Sequence, residues 1–406
     1  MDVLIVSRCL PVPLHYGDRL IVHHLLRELA ARGHRCDLVA IHESTATPDD
    51  LLLSRQLCHA FDAVLDRPRS GAQYLHRLLR PFPQHASSCW NPDLWAAVQR
   101  RLAARRYDVV HLFGGIQVYE LRDLVANTPS VIVPYESFSL YLDHALAVAP
   151  TIGERLRLQL SRAIARRYER VIYGGADRAV VISTADADAL KSLAPALRVE
   201  VIPNGVQLPA ESSGDSTGTD LVFVGNYSYA PNIEAAVALV RNVWPRVRTH
   251  IPEARVVLVG ANPPEAITAL AGPAVEVTGW VPTTQPFLDR AGCFVAPLTF
   301  GAGLKNKILE AMAAAVPVVT TPVGAAGLAV TSGEELLIGR TAEELGDAVV
   351  QVLKDRVFAR RLGIAARQFA ATHHAWPDVA ARYEALYADV IAERRAASKT
   401  SAIDSA

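Results

Sequence analysis

An alternation that runs twice along the chain constrains its fold more than any other feature. In the first half Val3–Val6, Cys36–Ile41, Val109–Leu112, Val131–Val133 and Ala179–Ile182 are short apolar runs of strand length. Between them lie stretches with helical spacing. Arg19–Arg32 puts Leu20, Leu25, Leu26 and Leu29 on one face and ends at Gly33, a helix stop, and Ser183 is placed to cap another helix. Strands that alternate with helices form a parallel sheet covered on both faces. The pattern breaks at Leu208–Thr219 (LPAESSGDSTGT), which has no large apolar residue after Leu208 and reads as a linker. It then restarts. Leu221–Val224, Val256–Val259, Val275–Val277, Cys293–Leu298 and Val316–Thr320 read as strands; Asn232–Val243, Lys305–Ala315, Ala342–Lys354 and Pro377–Arg395 read as helices.

The expected fold class is therefore α/β, with two Rossmann-like doubly wound domains. Residues 1–205 form the first, 206–219 the linker and 220–376 the second. Residues 377–395 form a closing helix that packs on the first domain, and 396–406 a flexible tail. A length of 406 residues suits two or three domains. In such sheets ligands bind beyond the carboxyl ends of the strands, so two of them facing one another are expected to share a cleft.

Composition narrows the function. Half of the residues are hydrophobic, too many for a disordered chain. Forty-one basic residues balance forty-one acidic ones, which argues against a partner bound through phosphate neutralisation, so no nucleic acid is expected. No apolar run reaches the ~18 residues of a membrane span. The start, Met-Asp-Val-Leu-Ile-Val-Ser, lacks the basic region of a signal peptide. Cysteines 9, 36, 58, 89 and 293 are scattered and make no CxxC pair, as in a reduced, cytoplasmic protein without a zinc site. His23/His24 and His373/His374 are adjacent rather than four apart, so no metal and no cofactor are expected.

The most informative stretch is Phe300-Gly-Ala-Gly-Leu-Lys-Asn-Lys-Ile-Leu-Glu310, between a strand and a helix. Gly301 and Gly303 allow close backbone approach to a ligand, and a helix start favours an anion. Lys305 and Lys307 add positive charge there, although lysines at a helix start oppose its dipole unless an anion is present. The whole chain has only five lysines, at 191, 305, 307, 354 and 399. Glu310 shares a helix face with Lys307. Amides and lysines that hold phosphates, with a carboxylate that accepts from ribose hydroxyls, suit a nucleoside diphosphate. The alternative is a glycine-rich turn with a solvated Lys–Glu pair.

The run GAGLKNKILEAMAAAVPVVTTPVGAAGL resembles the donor-site signature of family 4 glycosyltransferases, in the branch written G-x-G-x-K-x-K-x-x-E-A-x-A. IPNGV (202–206), FVGNYSYAPNIEAA (223–236), VTGWVP (277–282) and HHAWPDVAARYEALY (373–387) stand in the order of that family's crossover, first nucleotide-domain unit, base-pocket loop and closing helix. In the first half the likeness rests on Leu4–His34 and on DVVH at 108–111. The resemblance implies the GT-B fold and a retaining, metal-independent transfer from a nucleotide-diphosphate sugar to a hydroxyl acceptor. A non-catalytic nucleotide-sugar binder and a GT-B epimerase are the alternatives.

The resemblance also implies site residues. Gly17, Gly225, Asn226, Gly301, Gly303, Leu304, Lys305 and Lys307 would lie along the diphosphate, Glu310 on the ribose, and Trp280, Val281 and Pro282 around the base. Lys307, His111 and Glu310 would act in catalysis; His111, Glu136 and Ala302 would meet the donor sugar or acceptor. Ala302 stands where many relatives have a sugar-binding glutamate. Asn226 and Pro231/Asn232 stand where many have a diphosphate-binding arginine and lysine, which leaves Lys305 and Lys307 as the replacements. His15-Tyr16-Gly17-Asp18 has one glycine where relatives have two.

Arginines 155, 157, 162, 166, 167 and 170 alternate with Leu156, Leu158, Leu160, Ile164 and Ile172 in a helical pattern. Such a surface suits either an anionic membrane, giving peripheral contact through Arg155–Arg170, or plain solvent.

Overall fold

The structure, a computed structural model, describes residues 1–14, 17–67, 83, 85–149, 151–210, 218–301 and 304–404. It divides into two compact units: residues 1–204 with 376–406, and residues 205–375. The middle of the expected linker, 211–217, lies outside the described residues, as do Ala302 and Gly303.

The first unit is built on a sheet of seven parallel strands, β1 (Asp2–Ser7), β2 (Arg35–His42), β3 (Ala60–Leu65), β4 (Val109–Phe113), β5 (Ser130–Tyr135), β6 (Arg178–Val181) and β7 (Val199–Val201), in the order β3-β2-β1-β4-β5-β6-β7. β1 lies between β2 (Asp2↔Arg35) and β4 (Val3↔Val109), so the order reverses at β1/β4. Successive side chains of a strand point to opposite faces. Val3, Ile5, Val109 and Phe113 therefore face one core, and Leu4, Val6, Val110 and Leu112 the other.

The first core is closed by α1 (Gly17–Ala31) and by the last helix of the chain, Trp376–Asp404. That helix buries Trp376, Val379, Ala380, Tyr383, Leu386, Tyr387, Val390 and Ile391, one stripe at a 3.6-residue period, and Trp376 stacks on His24 with ring centroids 4.7 Å apart. Each large apolar side chain buried this way contributes about 1.5–3 kcal/mol. The helix runs to Asp404, past the expected end at 395, so the stretch expected as a tail continues it.

On the other face α2 (Phe138–Val148) and α3 (Ile152–Tyr173) form a helical hairpin. Its base is clamped: the buried Glu169 carboxylate accepts from the Phe138 (2.8 Å) and Ser139 (3.3 Å) amides, and buried Asp186 accepts from the Ser137 amide (2.8 Å).

The second unit repeats the plan with six parallel strands, β8 (Asp220–Val224), β9 (Arg255–Val259), β10 (Val275–Gly279), β11 (Ala291–Ala296), β12 (Val318–Thr320) and β13 (Leu337–Ile338), in the order β10-β9-β8-β11-β12-β13. Here the order reverses between β8 and β11, which are hydrogen-bonded neighbours although 66 residues lie between Val224 and Ala291. The loops after these two strands therefore share one end of the sheet, where α/β proteins bind ligands.

Candidate active site

The loop after β11 leads into α4 (Asn306–Ala313), and the loop after β8 leads into α5 (Ala230–Ala238). Two glycine contacts set the site's shape. Gly260, just past β9, has φ +149°, and a Cβ there would sit 1.7 Å from the Gly225 carbonyl oxygen, so the two chain segments cross at a distance only glycine permits. Gly301 has φ +126°, and a Cβ there would meet the Tyr229 hydroxyl at 3.4 Å and Lys305 Cε at 3.7 Å. Tyr229 and the Lys305 side chain thus flank the glycine turn.

The residue at the N-cap of α4 is Lys305, in an extended conformation (φ −95°, ψ 91°) and with no side-chain bond to the helix amides. Ser, Thr, Asp or Asn usually fill this position. A cation there concentrates positive charge on the positive end of the helix, which favours a bound anion.

Lys307 reaches toward the β8 loop. Its ammonium donates to Asn232 Oδ1 and lies 5.0 Å from the centroid of the Phe223 ring. Asn232, itself buried, donates from Nδ2 to the Asn226 carbonyl at 2.7 Å. Burial lowers the pKa of Lys307 from the usual lysine range to about 7; the Lys305 charge lowers it further, and Glu310 opposes the shift. Burial likewise raises Glu310 to about 7, against the attraction of Lys307. A half-buried lysine and carboxylate one turn apart, each with its charged form disfavoured by burial, are placed to respond to an anion between the loops.

Asn226 Oδ1 accepts from the Ser228 amide at 2.9 Å and so closes its own turn, and the half-buried side chain stays at the end of β8. Leu304 is buried, leaving only its backbone for a ligand. Trp280 is 56 % exposed on the loop after β10, with Val281 half-buried and Pro282 exposed, an arrangement open to a base rather than one of core packing.

The structure thus gathers Gly225, Asn226, Gly301, Leu304, Lys305, Lys307 and Glu310 at one end of the second unit's sheet. Gly17, His111 and Glu136 belong to the other unit. Gly17 is the first residue of α1, and the neighbouring Asp18 is held by Arg8 through Nε (3.0 Å) and Nη2 (2.7 Å). Glu136 follows β5, between Tyr135, strained at φ 51°, and Ser137, the N-cap of α2.

His111 corrects an expectation. It is the third of five residues in β4, so it does not reach the carboxyl end of the sheet, and it shares the face of Val109 and Phe113. It is fully buried, with Nδ1 2.6 Å from the Tyr387 hydroxyl and its ring 5.5 Å from that of Tyr383, and burial lowers its pKa to about 3. It is a neutral core residue under the last helix.

Sequence reasoning missed Asn232 as the partner of Lys307, Phe223 and Tyr229 as walls, and the Arg8–Asp18 pair. The reversal points supply the signal: Arg8 directly follows β1, and Gly114 and Gly115, both at positive φ, directly follow β4.

Two family models account for most of the chain. Glycosyltransferase Family 4 matches residues 20–208, and Glycosyl transferases group 1 matches residues 218–355. The chain belongs to the family 4 glycosyltransferases. It is a glycosyltransferase, and its donor is a nucleotide sugar.

It is 25 % identical over 330 residues to a phosphatidyl-myo-inositol mannosyltransferase of Mycobacterium leprae, covering 76 % of this chain and 82 % of that one. Among solved structures, a sucrose-phosphate synthase of Thermosynechococcus elongatus superposes with TM-score 0.72 at 19 % identity, covering 97 % of this chain and 99 % of the other. HepE of Anabaena, in complex with UDP and glucose, superposes with TM-score 0.66 at 16 % identity over 96 % and 100 %. The fold these share is GT-B, as the sequence led us to expect.

Proposed function

We propose that this glycosyltransferase takes a sugar from a nucleoside-diphosphate donor and passes it, with retention of configuration and without a metal ion, to a hydroxyl acceptor. The observation that carries this reading is the convergence of Lys305, Lys307 and Glu310 on one helix start at the β8/β11 reversal. The leaving diphosphate develops negative charge, and preorganised cations and amides stabilise it. Lys305 and Lys307 supply the cations that a divalent metal supplies elsewhere. Glu310 accepts from the ribose hydroxyls, and exposed Trp280 lies beside the base. Retention follows the stereochemistry of the family: the acceptor hydroxyl attacks the face that the diphosphate leaves, and the departing phosphate oxygen takes its proton. A glycan, a lipid-linked saccharide and a small molecule all present such a hydroxyl. The name of the mycobacterial relative supports a lipid-linked acceptor, and Arg155–Arg170 on α3 would then meet the membrane that carries it.

The test is release of nucleoside diphosphate from UDP-, GDP-, TDP- and ADP-sugars, with and without EDTA, and the product's anomeric configuration by NMR. We expect one base to be preferred, turnover to survive EDTA and the configuration to be retained. An inverted product, or turnover abolished by EDTA and restored by a divalent ion, would overturn the mechanism.

A further inference from the structure

We propose that helix α3 docks on an anionic lipid bilayer, with its aliphatic stripe in the interface and its arginines among the headgroups. This deepens the lipid-linked branch of the proposed function but does not depend on the transfer chemistry.

Ile152, Leu156, Leu160 and Ile164 recur every four residues and are 79, 63, 65 and 41 % exposed. They make a ridge about 18 Å long at 1.5 Å per residue. The helix beneath is well anchored: Ala165, Glu169, Ile172 and Tyr173 are buried on its other side. A helix merely bathed in solvent would carry polar residues on that ridge.

The charges that α3 itself sets beside the ridge are of one sign. At about 100° per residue, Arg157 falls along one edge of the stripe and Arg155 and Arg166 along the other. Arg167 and Arg170 continue it toward the carboxyl end, and all five are exposed. Asp143 holds Arg162 (2.7 Å) and Arg166 (3.1 Å); among the described residues Arg157 and Arg167 pair with no acid. The helix's own acids lie elsewhere: Glu169 is buried in the clamp on α2, and Glu154 sits in the first turn at the Thr151 cap.

Apolar residues flanked by arginines fit an interfacial helix, since arginine stems lie along the apolar layer while their heads meet lipid phosphates. A second copy of the chain fits less well. Four side chains on one helix fall far short of the ~800 Å² per partner of a stable interface, and a twofold pairing would bring the two arginine edges together.

The experiment is co-sedimentation of the full chain with vesicles of phosphatidylglycerol and phosphatidylcholine, against vesicles of phosphatidylcholine alone. L156N/L160N and R157Q/R167Q are compared with the parent after circular dichroism confirms their folding. We expect binding to the anionic vesicles only, weakened at least tenfold by L156N/L160N, about fivefold per neutralised arginine, and strongly by high salt. Equal binding to both vesicle types, parental binding by L156N/L160N, or a solution dimer that L156N/L160N dissociates would overturn the proposal. Nucleotide binding, measured in parallel, should stay at the parental level in both variants; its loss from the parent would count against the donor site and leave the docking result standing.

Discussion

Replacing Lys307 by methionine should make the free protein more stable and the enzyme far worse. Burial lowers the Lys307 pKa from 10.5 to about 7, and each pKa unit is worth about 1.4 kcal/mol. The full shift would amount to roughly 5 kcal/mol; because the side chain is partly exposed, solvent screening reduces that to about 2–3 kcal/mol. Methionine keeps the apolar stem against Phe223 and removes the cost of burying the charge. It leaves Asn232 Oδ1 without its donor, which costs about 1 kcal/mol. The net gain is about 1–2 kcal/mol.

The sign follows from linkage. A lysine whose folded pKa is lowered binds fewer protons folded than unfolded, so its cost is fully present below about pH 7 and disappears toward pH 10.5. The variant should therefore unfold several degrees higher than the parent at pH 6 and slightly below it above pH 10, where only the lost Asn232 bond remains, as followed by thermal unfolding. Turnover should fall about 10²–10³-fold, the usual effect of removing one stabilising donor from a developing charge. Parental turnover, or equal destabilisation at both pH values, would refute the reasoning and make Lys307 a structural residue.

Glu310→Gln should weaken nucleoside-diphosphate binding about 10–100-fold, the worth of one charged hydrogen bond, as read by calorimetry. Because burial raises the Glu310 pKa, its cost is fully present above about pH 7 and absent below 4.5, so the glutamine variant should gain stability at pH 8 but not at pH 4.5. Binding of a nucleoside diphosphate to the parent at pH 8 should take up a proton as Lys307 recharges, seen as a heat that depends on the buffer's ionisation enthalpy. His111→Leu should leave turnover near the parental level. The lowered His111 pKa makes stability fall as pH drops from about 6.5 toward 3, and the leucine variant should lose part of that acid sensitivity in thermal unfolding. Gly260→Ala, with its Cβ 1.7 Å from the Gly225 carbonyl oxygen, should cost several kcal/mol and abolish nucleotide binding, since the two loops must part.

Both sheets were legible in the sequence because their central strands are continuous apolar runs. β3, β7 and β13 were not: each pairs on one side only, and Leu337–Ile338 is too short to form a pattern. The lysine loop stood out through the scarcity of lysine. Its partner Asn232 did not, because β8 and β11 are neighbours only through the reversal of strand order, which local pattern does not encode. His111 was correctly read into a strand, but its reach was misjudged: two more residues of β4 lie between it and the loop, and its face belongs to the last helix, some 270 residues on. The α3 stretch, by contrast, was legible as a surface, because its arginines alternate with the leucines at helical spacing.

The most direct test of the central claim is a crystal structure of the protein soaked with its preferred nucleoside diphosphate. The account predicts the diphosphate against Gly301, Lys305 and Lys307, with a ribose hydroxyl on Glu310. A nucleotide bound at another site, with this loop untouched, would contradict it.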